Sequence, residues 1–154
     1  MRNIVAVDDS PYSTQVIEAI GARRWPVNTE FKVLSVVEPI ECSGDDDIES
    51  ATNAARHKAI EHMCGEVRHK LQAAVPDSIV HFEVRKGVPT SEILASAIDW
   101  SADRILIGAR GRHVCPHNLL GSVSRSVAQQ ASCTVEVVRP RHSKVKVDDL
   151  AVPI

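Results

Sequence analysis

The sequence predicts one α/β domain built as an open, doubly wound, mostly parallel sheet. Two observations carry that expectation. The apolar pattern switches repeatedly between short β-type runs and longer stretches of helical period, which is how βα units around a parallel sheet read. The chain also has 154 residues with 44% hydrophobic content, enough for a single core that needs no disulfide or metal, since folding at this length buries about 70% of the unfolded chain's surface. Residues 1–140 are expected to form the domain and 141–154 a C-terminal tail.

The elements follow in order. Ile4 to Val7 is a short apolar strand. Ser10-Pro11 reads as an N-cap with proline at the first helical position, and Val16, Ile17 and Ile20 give that helix a buried stripe up to about Arg24, before Trp25-Pro26 ends it. Phe31 to Val37 is valine-rich and bounded by Glu38-Pro39, a second strand. Residues 41–49 carry five acids and no base, the composition of a solvated loop. Ala51 to Ala74 is the longest helical pattern, with Ile60, Met63, Val67 and Leu71 on one face.

Val80, Phe82 and Val84 alternate with His81, Glu83 and Arg85, so this third strand is placed at a sheet edge, where one face is wetter than in a central parallel strand. Gly87-Val88-Pro89-Thr90 starts a helix carrying Ile93, Leu94, Ala97 and Ile98, and Ile105 to Ile107 is a fully apolar strand after it. A fourth helix begins near Ser122, and Thr134 to Val138 is the last strand. Right-handed crossovers then follow from the alternating order.

Composition excludes several functions. Eighteen Lys and Arg against 20 Asp and Glu leave a net charge of −2, so no global field draws the chain to nucleic acid or anionic lipid. Aromatics are only 3% of the chain, too few for a base-stacking platform. Cys42, Cys64, Cys115 and Cys133 form no CxxC pair, as in a reduced chain, and the opening apolar run Ile4 to Val7 is too short for a signal peptide or a membrane span. Cytoplasmic residence is the expectation.

In open α/β sheets ligands sit beyond the carboxyl ends of the strands, where the strand order reverses. After the fourth strand come Gly108-Ala109-Arg110-Gly111, nine residues, and then Gly121-Ser122 opening a helix. Glycines allow torsions closed to other residues and let main-chain N–H groups approach an oxyanion, and a helix N-terminus adds unpaired donors and positive partial charge. Ser122, as N-cap or first-turn residue, and Ser124 add hydroxyls, with Arg125 at the third helical position. From Arg104 to Val135 there are four arginines, Arg104, Arg110, Arg112 and Arg125, and no acid, so the loop reads as locally basic. Gly121-Ser122 also suits an ordinary helix cap. Asp8 suits either a cap on the first helix or contact with a ligand, and Asp9 beside it would repel phosphates or hold a divalent cation with them. His113, Cys115, Pro116 and His117 lie in the spacer without a complete metal-ligand pattern.

Gly108, Gly111, Gly121 and Ser122 occupy every position of a Gly-x2-Gly-x9-Gly-Ser/Thr motif, and on these residues the chain resembles the universal stress protein family, specifically its ATP-binding branch. The opening Ile4-Val5-Ala6-Val7-Asp8-Asp9-Ser10, Val33 to Val37, Gly87-Val88-Pro89, Ala102-Asp103 and Cys133 to Arg139 are similar too, so the resemblance spans about residues 2–139. It implies a five-stranded parallel sheet of order 3-2-1-4-5, the adenine-nucleotide alpha-hydrolase-like (Rossmann-like) fold. It further implies ATP, with Mg or Mn, held by Asp8, the backbone at Val36, Gly108, Arg110, Gly111, Gly121, Ser122, Val123 and Ser124. With so few aromatics, adenine would lie between aliphatic walls. The family's homodimer would pair through the last strand around Val135, Val137 and Val138, although Glu136 stands there too.

Three functions are open on this reading. One is an ATP-binding, nucleotide-dependent regulatory protein of the stress response with slow or no hydrolysis. Another is a nucleotide-free dimeric interaction module of the same fold, and the third an adenylyl-transfer enzyme. No catalytic residue is assigned, because no Ser-His-acid or Cys-His arrangement emerges from spacing.

Overall fold

The computed structural model describes residues 1–40, 46–112 and 119–140. The elements run β1 (Arg2–Ala6), α1 (Pro11–Gly21), β2 (Glu30–Val37), α2 (Asp46–Ala74), β3 (Ile79–Lys86), α3 (Pro89–Asp99), β4 (Arg104–Gly108), α4 (Ser122–Gln130) and β5 (Thr134–Val138). All five strands pair in parallel, in the order β3-β2-β1-β4-β5. Residues 41–45, the spacer's His113, Cys115, Pro116 and His117, and the tail 141–154 lie outside the described residues.

Two cores follow from the pleat. Val5, Phe31, Val33 and Leu106 face α1 and α2, packing on Val16, Ile20, Cys64 and Leu71. Their sequence neighbours Ile4, Leu34, Ile105 and Ile107 face α3 and α4, packing on Ile93, Ala97 and Val127. Strands buried on both faces have to be apolar at nearly every position, which is why Ile4 to Ala6 and Ile105 to Ile107 read as unbroken apolar runs and β2 between Phe31 and Val37 is broken only by Lys32 and Ser35. Burial pushes the Cys64 thiol up to about 11, with Glu61 adding to it, so this thiol stays protonated and inert near neutral pH.

Several boundaries differ from the sequence reading. Helix α2 starts at Asp46, so Asp47 and Glu49 belong to its first turn and not to a loop. Acidic residues are favoured there by the positive end of the helix dipole, and composition alone does not separate an exposed first turn from a loop. Helix α1 stops at Gly21 instead of near Arg24. Arg23 turns to the far edge of the sheet and pairs with Glu136. Among the described residues no helix is long and apolar enough to cross a membrane.

Strand β3 forms the edge, and on the α3 side its face carries charge. Lys32 Nζ lies 3.0 Å from Glu83 Oε2 and Arg85 Nε 2.8 Å from Glu83 Oε1, while Ser96 Oγ donates to Glu83 over 3.1 Å. Arg85 also reaches Asp99 at 2.9 Å. Partial burial pushes the Glu83 carboxyl up, but the bonds from Arg85 and Lys32, the Lys32 charge and the Ser96 hydroxyl outweigh it and hold the group below its ordinary value. A depressed carboxyl contributes stability that is complete above its unfolded pKa and is lost as the pH falls through the folded one. Glu83→Gln is therefore expected to lower the melting temperature at neutral pH. The deficit should shrink as the pH drops below about 4, the ordinary carboxylate range. Thermal melts of both proteins across that range check it, and a deficit independent of pH contradicts it.

Candidate functional site

Beyond the carboxyl ends of β1, β2 and β4 lies a cavity of about 310 Å³, at the low end of the size of small-molecule sites. It opens where the chain order reverses, since the connection after β1 runs toward β2 and the one after β4 toward β5. Asp8, Val36, Gly108, Arg110, Gly111, Gly121, Ser122, Val123 and Ser124 all line it. The fold thus brings these nine residues together from separate segments of the chain, while Asp9 stands outside the lining.

The turn after β1 is tied down by its own side chains. Asp8 Oδ1 accepts the Ser10 N–H at 3.0 Å, the Ser10 hydroxyl and the Ser13 hydroxyl at 3.1 Å, while the Asp8 N–H donates to Ser13 Oγ over 2.9 Å. Ser10 does sit at the N-cap with Pro11 behind it, but its hydroxyl turns back to Asp8 and caps nothing. Oδ2 of Asp8 faces Gly111 so closely that a β-carbon there would lie 2.6 Å from it. The two loops of the site therefore touch through a carboxylate and a bare glycine.

Close approach, and not unusual torsion, is what the glycines provide. Among the described glycines only Gly87 has a positive φ, 143°. At Gly108 a β-carbon would sit 3.2 Å from the Arg110 carbonyl oxygen and 3.2 Å from Tyr12 Cβ. Gly121, with φ −62° and ψ 162°, is the N-cap of α4, so Ser122 opens the first turn and Ser124, not Arg125, holds its third position. The Gly121 N–H donates to the Ala109 carbonyl over 2.7 Å, and the first helical bond runs from Arg125 N–H to the Gly121 carbonyl. The N–H groups of Ser122, Val123 and Ser124 thus precede the helical ladder at the end of the helix that carries positive partial charge.

Two expectations are corrected here. Ser124 lines the cavity, but its buried hydroxyl donates to the carbonyls of Ala109 (2.9 Å) and Gly121 (3.1 Å), so it braces the loop instead of offering its proton to a ligand. The basic character read along residues 104–135 is also only partly local. Arg110 and Arg112 line the cavity. Arg104 sits at the opposite end of β4, beside Glu136 and over the Trp25 ring, and Arg125 reaches the Leu120 carbonyl. Sequence proximity along a strand does not mean proximity to the site, because four steps of extended chain span about 13 Å.

The other wall came from residues the sequence reading left unassigned. Leu34 and Ile107 give an apolar floor, Val88, Pro89, Thr90 and Ile93 a side, and Glu38 stands at the rim. Glu38 is held there by α2, where Arg56 donates to its carbonyl over 2.7 Å. Glu38 follows β2 directly, and Val88, Pro89 and Thr90 come just after β3, so the strand-end rule applied to the first and fourth strands would have found these four had it been applied to the second and third as well. Among the described residues no three His, Cys, Asp or Glu side chains converge as a metal site would need.

A parallel α/β sheet with a glycine loop and a helix N-terminus at its switch point defines a class of doubly wound α/β domains. Within that class the chain belongs to the universal stress protein family, whose family pattern matches residues 1–139. It is 40% identical over 60 residues to universal stress protein MJ0531 of Methanocaldococcus jannaschii, covering 39% of this chain and 35% of that one. It is 27% identical over 148 residues to the universal stress protein A family protein C25B2.10 of Schizosaccharomyces pombe, covering 93% and 46%. The chain thus spans less than half the length of these curated relatives.

Among solved structures, hypothetical protein MJ0577 superposes with a TM-score of 0.80 at 22% identity, over 92% of this chain and 98% of that one. A universal stress protein in complex with cAMP gives 0.63 at 20% identity, over 94% and 98%. A family protein from Arabidopsis thaliana with AMP bound gives 0.60 at 15% identity, over 93% of each chain. These likenesses establish the shared fold.

Proposed function

We propose that this chain binds ATP, together with Mg²⁺ or Mn²⁺, in the cavity beyond β1, β2 and β4, and acts as a nucleotide-dependent regulatory protein of the stress response with slow or no hydrolysis. The observation that carries the reading is the polarity of that cavity. One end presents the free N–H groups of α4, the Ser122 hydroxyl and the cations Arg110 and Arg112. The other is aliphatic, walled by Leu34, Val36, Val88 and Ile93. A phosphate chain suits the first end, and a purine between aliphatic walls, read by main-chain groups at Val36, suits the second. The relatives with cAMP and AMP support a nucleotide as the ligand class.

The metal would travel with the phosphates, beside Asp8. We also propose that residues 1–140 form the binding domain and that two copies pair through β5. There Val135, Val137 and Val138 are half-buried at the sheet edge, while the Glu136 carboxylate is already engaged by Arg23 and Arg104 within its own chain.

Calorimetric titration of purified protein with ATP tests the reading, alongside mass spectrometry of nucleotide released by acid. Sedimentation velocity with and without ATP reads the assembly. The expected result is ATP binding and a dimer. A dimer that binds no ATP and releases no nucleotide would replace the reading with that of a nucleotide-free interaction module.

A further inference from the structure

At the phosphate end of the cavity an ion pair joins the two loops of the site. Arg112 Nε lies 3.3 Å from Asp9 Oδ1, with the arginine side chain 36% exposed and the aspartate 63%. Arg112 lines the cavity and follows Gly111 directly, whereas Asp9 stands outside the lining, on the turn that Asp8 fastens. The carboxylate therefore neutralises, from the solvent side, one of two cations that would receive a ligand's phosphates. We propose that Asp9 is a specificity-determining residue that sets the cavity against long phosphate chains, so that the protein discriminates less between a nucleoside monophosphate and a triphosphate than its N–H groups and arginines alone would dictate. This inference rests on the nucleotide reading above.

The sign follows from which effects grow with ligand charge. Asp9 repels every phosphate charge brought to the α4 N-terminus, and it competes with the outermost phosphates for Arg112. Both penalties rise from AMP to ATP. Its opposing effect, holding the guanidinium in place, is small for a pair this exposed and does not need the charge, because an asparagine Oδ1 accepts the same N–H. Asp9→Asn thus removes the charge while retaining an acceptor for Arg112. On an exposed turn it has little reason to disturb the fold, which a thermal melt verifies.

The test is titration of AMP and ATP, in EDTA and then in Mg²⁺, into the wild type, Asp9→Asn, Arg112→Gln and the double variant. In EDTA, Asp9→Asn is expected to tighten ATP by about three- to tenfold and AMP by less than about twofold, a difference that fades in high salt as exposed charges are screened. Arg112→Gln is expected to weaken ATP more in the Asp9→Asn background than in the wild type, because there the cation is no longer shared. Equal effects on AMP and ATP, additive effects of the two substitutions, or weaker ATP binding by Asp9→Asn in EDTA would each overturn the proposal. Weakening only in Mg²⁺ would overturn it as well, by making Asp9 a ligand of the cation. A wild type that binds neither nucleotide fails the nucleotide reading itself, and the wild-type titration alone shows this.

Discussion

Gly121→Asp is expected to leave the protein folded, and as stable as the wild type or slightly more so, while lowering ATP affinity by at least about a hundredfold. The backbone at Gly121 is ordinary extended chain, and an added β-carbon would meet nothing closer than Arg110 Cα at 3.4 Å. The bond from its N–H to the Ala109 carbonyl survives any substitution except proline. Position 121 is moreover the N-cap of α4, which has no side-chain cap in this sequence. Aspartate is among the best residues there. Its carboxylate accepts the N–H groups at the second or third helical position and interacts with the dipole by about 0.3–1 kcal/mol.

Those are the donors that a phosphate would use. The substitution fills the anion seat with an anion belonging to the chain, and a like charge about 4 Å from a bound phosphate costs about 4 kcal/mol at an effective dielectric constant near 20. Gly121→Ala provides the control, since it adds a β-carbon without a charge and should bind ATP within a few-fold of the wild type. Thermal melts and calorimetry on the three proteins decide the matter. Gly121→Asp that binds ATP normally would remove the α4 N-terminus from the site, and an unfolded variant would contradict the steric argument.

The contrast between position 121 and the other glycines marks how far the sequence was legible. The order of elements was readable because strands buried on both faces have no freedom to be polar, and the edge position of β3 showed in the alternation of Val80, Phe82 and Val84 with charged partners. Gly108, Gly111, Gly121 and Ser122 were readable because a strand end and a helix N-terminus leave a recognisable spacing, whereas Val36 was singled out only through the family resemblance. What stayed hidden depended on where side chains turn. The end of α3 has no glycine, since Ser101 takes the left-handed conformation itself (φ 51°) while the Ser101 and Ala102 N–H groups bond back to Ile98 and Ala97. The hydroxyl of Ser124 looked like a ligand donor but satisfies two carbonyls of its own loop. Arg104 counted toward a basic loop in one dimension and pairs with Glu136 at the other end of the strand in three. Each case is a hydrogen bond or ion pair formed between segments, which spacing alone does not encode.

Gly111 shows the opposite behaviour to Gly121, and Gly111→Ala is expected to cost about 1–3 kcal/mol of stability and to weaken ATP binding by about tenfold or more. The methyl group would lie 2.6 Å from Asp8 Oδ2, closer than unbonded atoms approach, so one of the two loops has to move. The carboxylate resists, because its other oxygen is held by the Ser10 N–H, the Ser10 hydroxyl and the Ser13 hydroxyl, and bonds to a charged acceptor contribute about 1.5–3 kcal/mol each. Displacing the glycine loop instead would carry Arg112, the next residue, away from its place in the cavity lining. At Gly108 the same substitution would meet Arg110 O and Tyr12 Cβ at 3.2 Å, a contact relieved by a shift of a few tenths of an ångström, so it should be the milder of the two. Removing the carboxylate isolates the cause. In Asp8→Ala the space beside Gly111 opens, and adding Gly111→Ala should then cost much less than it does in the wild type. Melting temperatures of the four proteins measure this coupling directly. If the two substitutions are additive, the contact between Asp8 and Gly111 is not what keeps a side chain out of position 111.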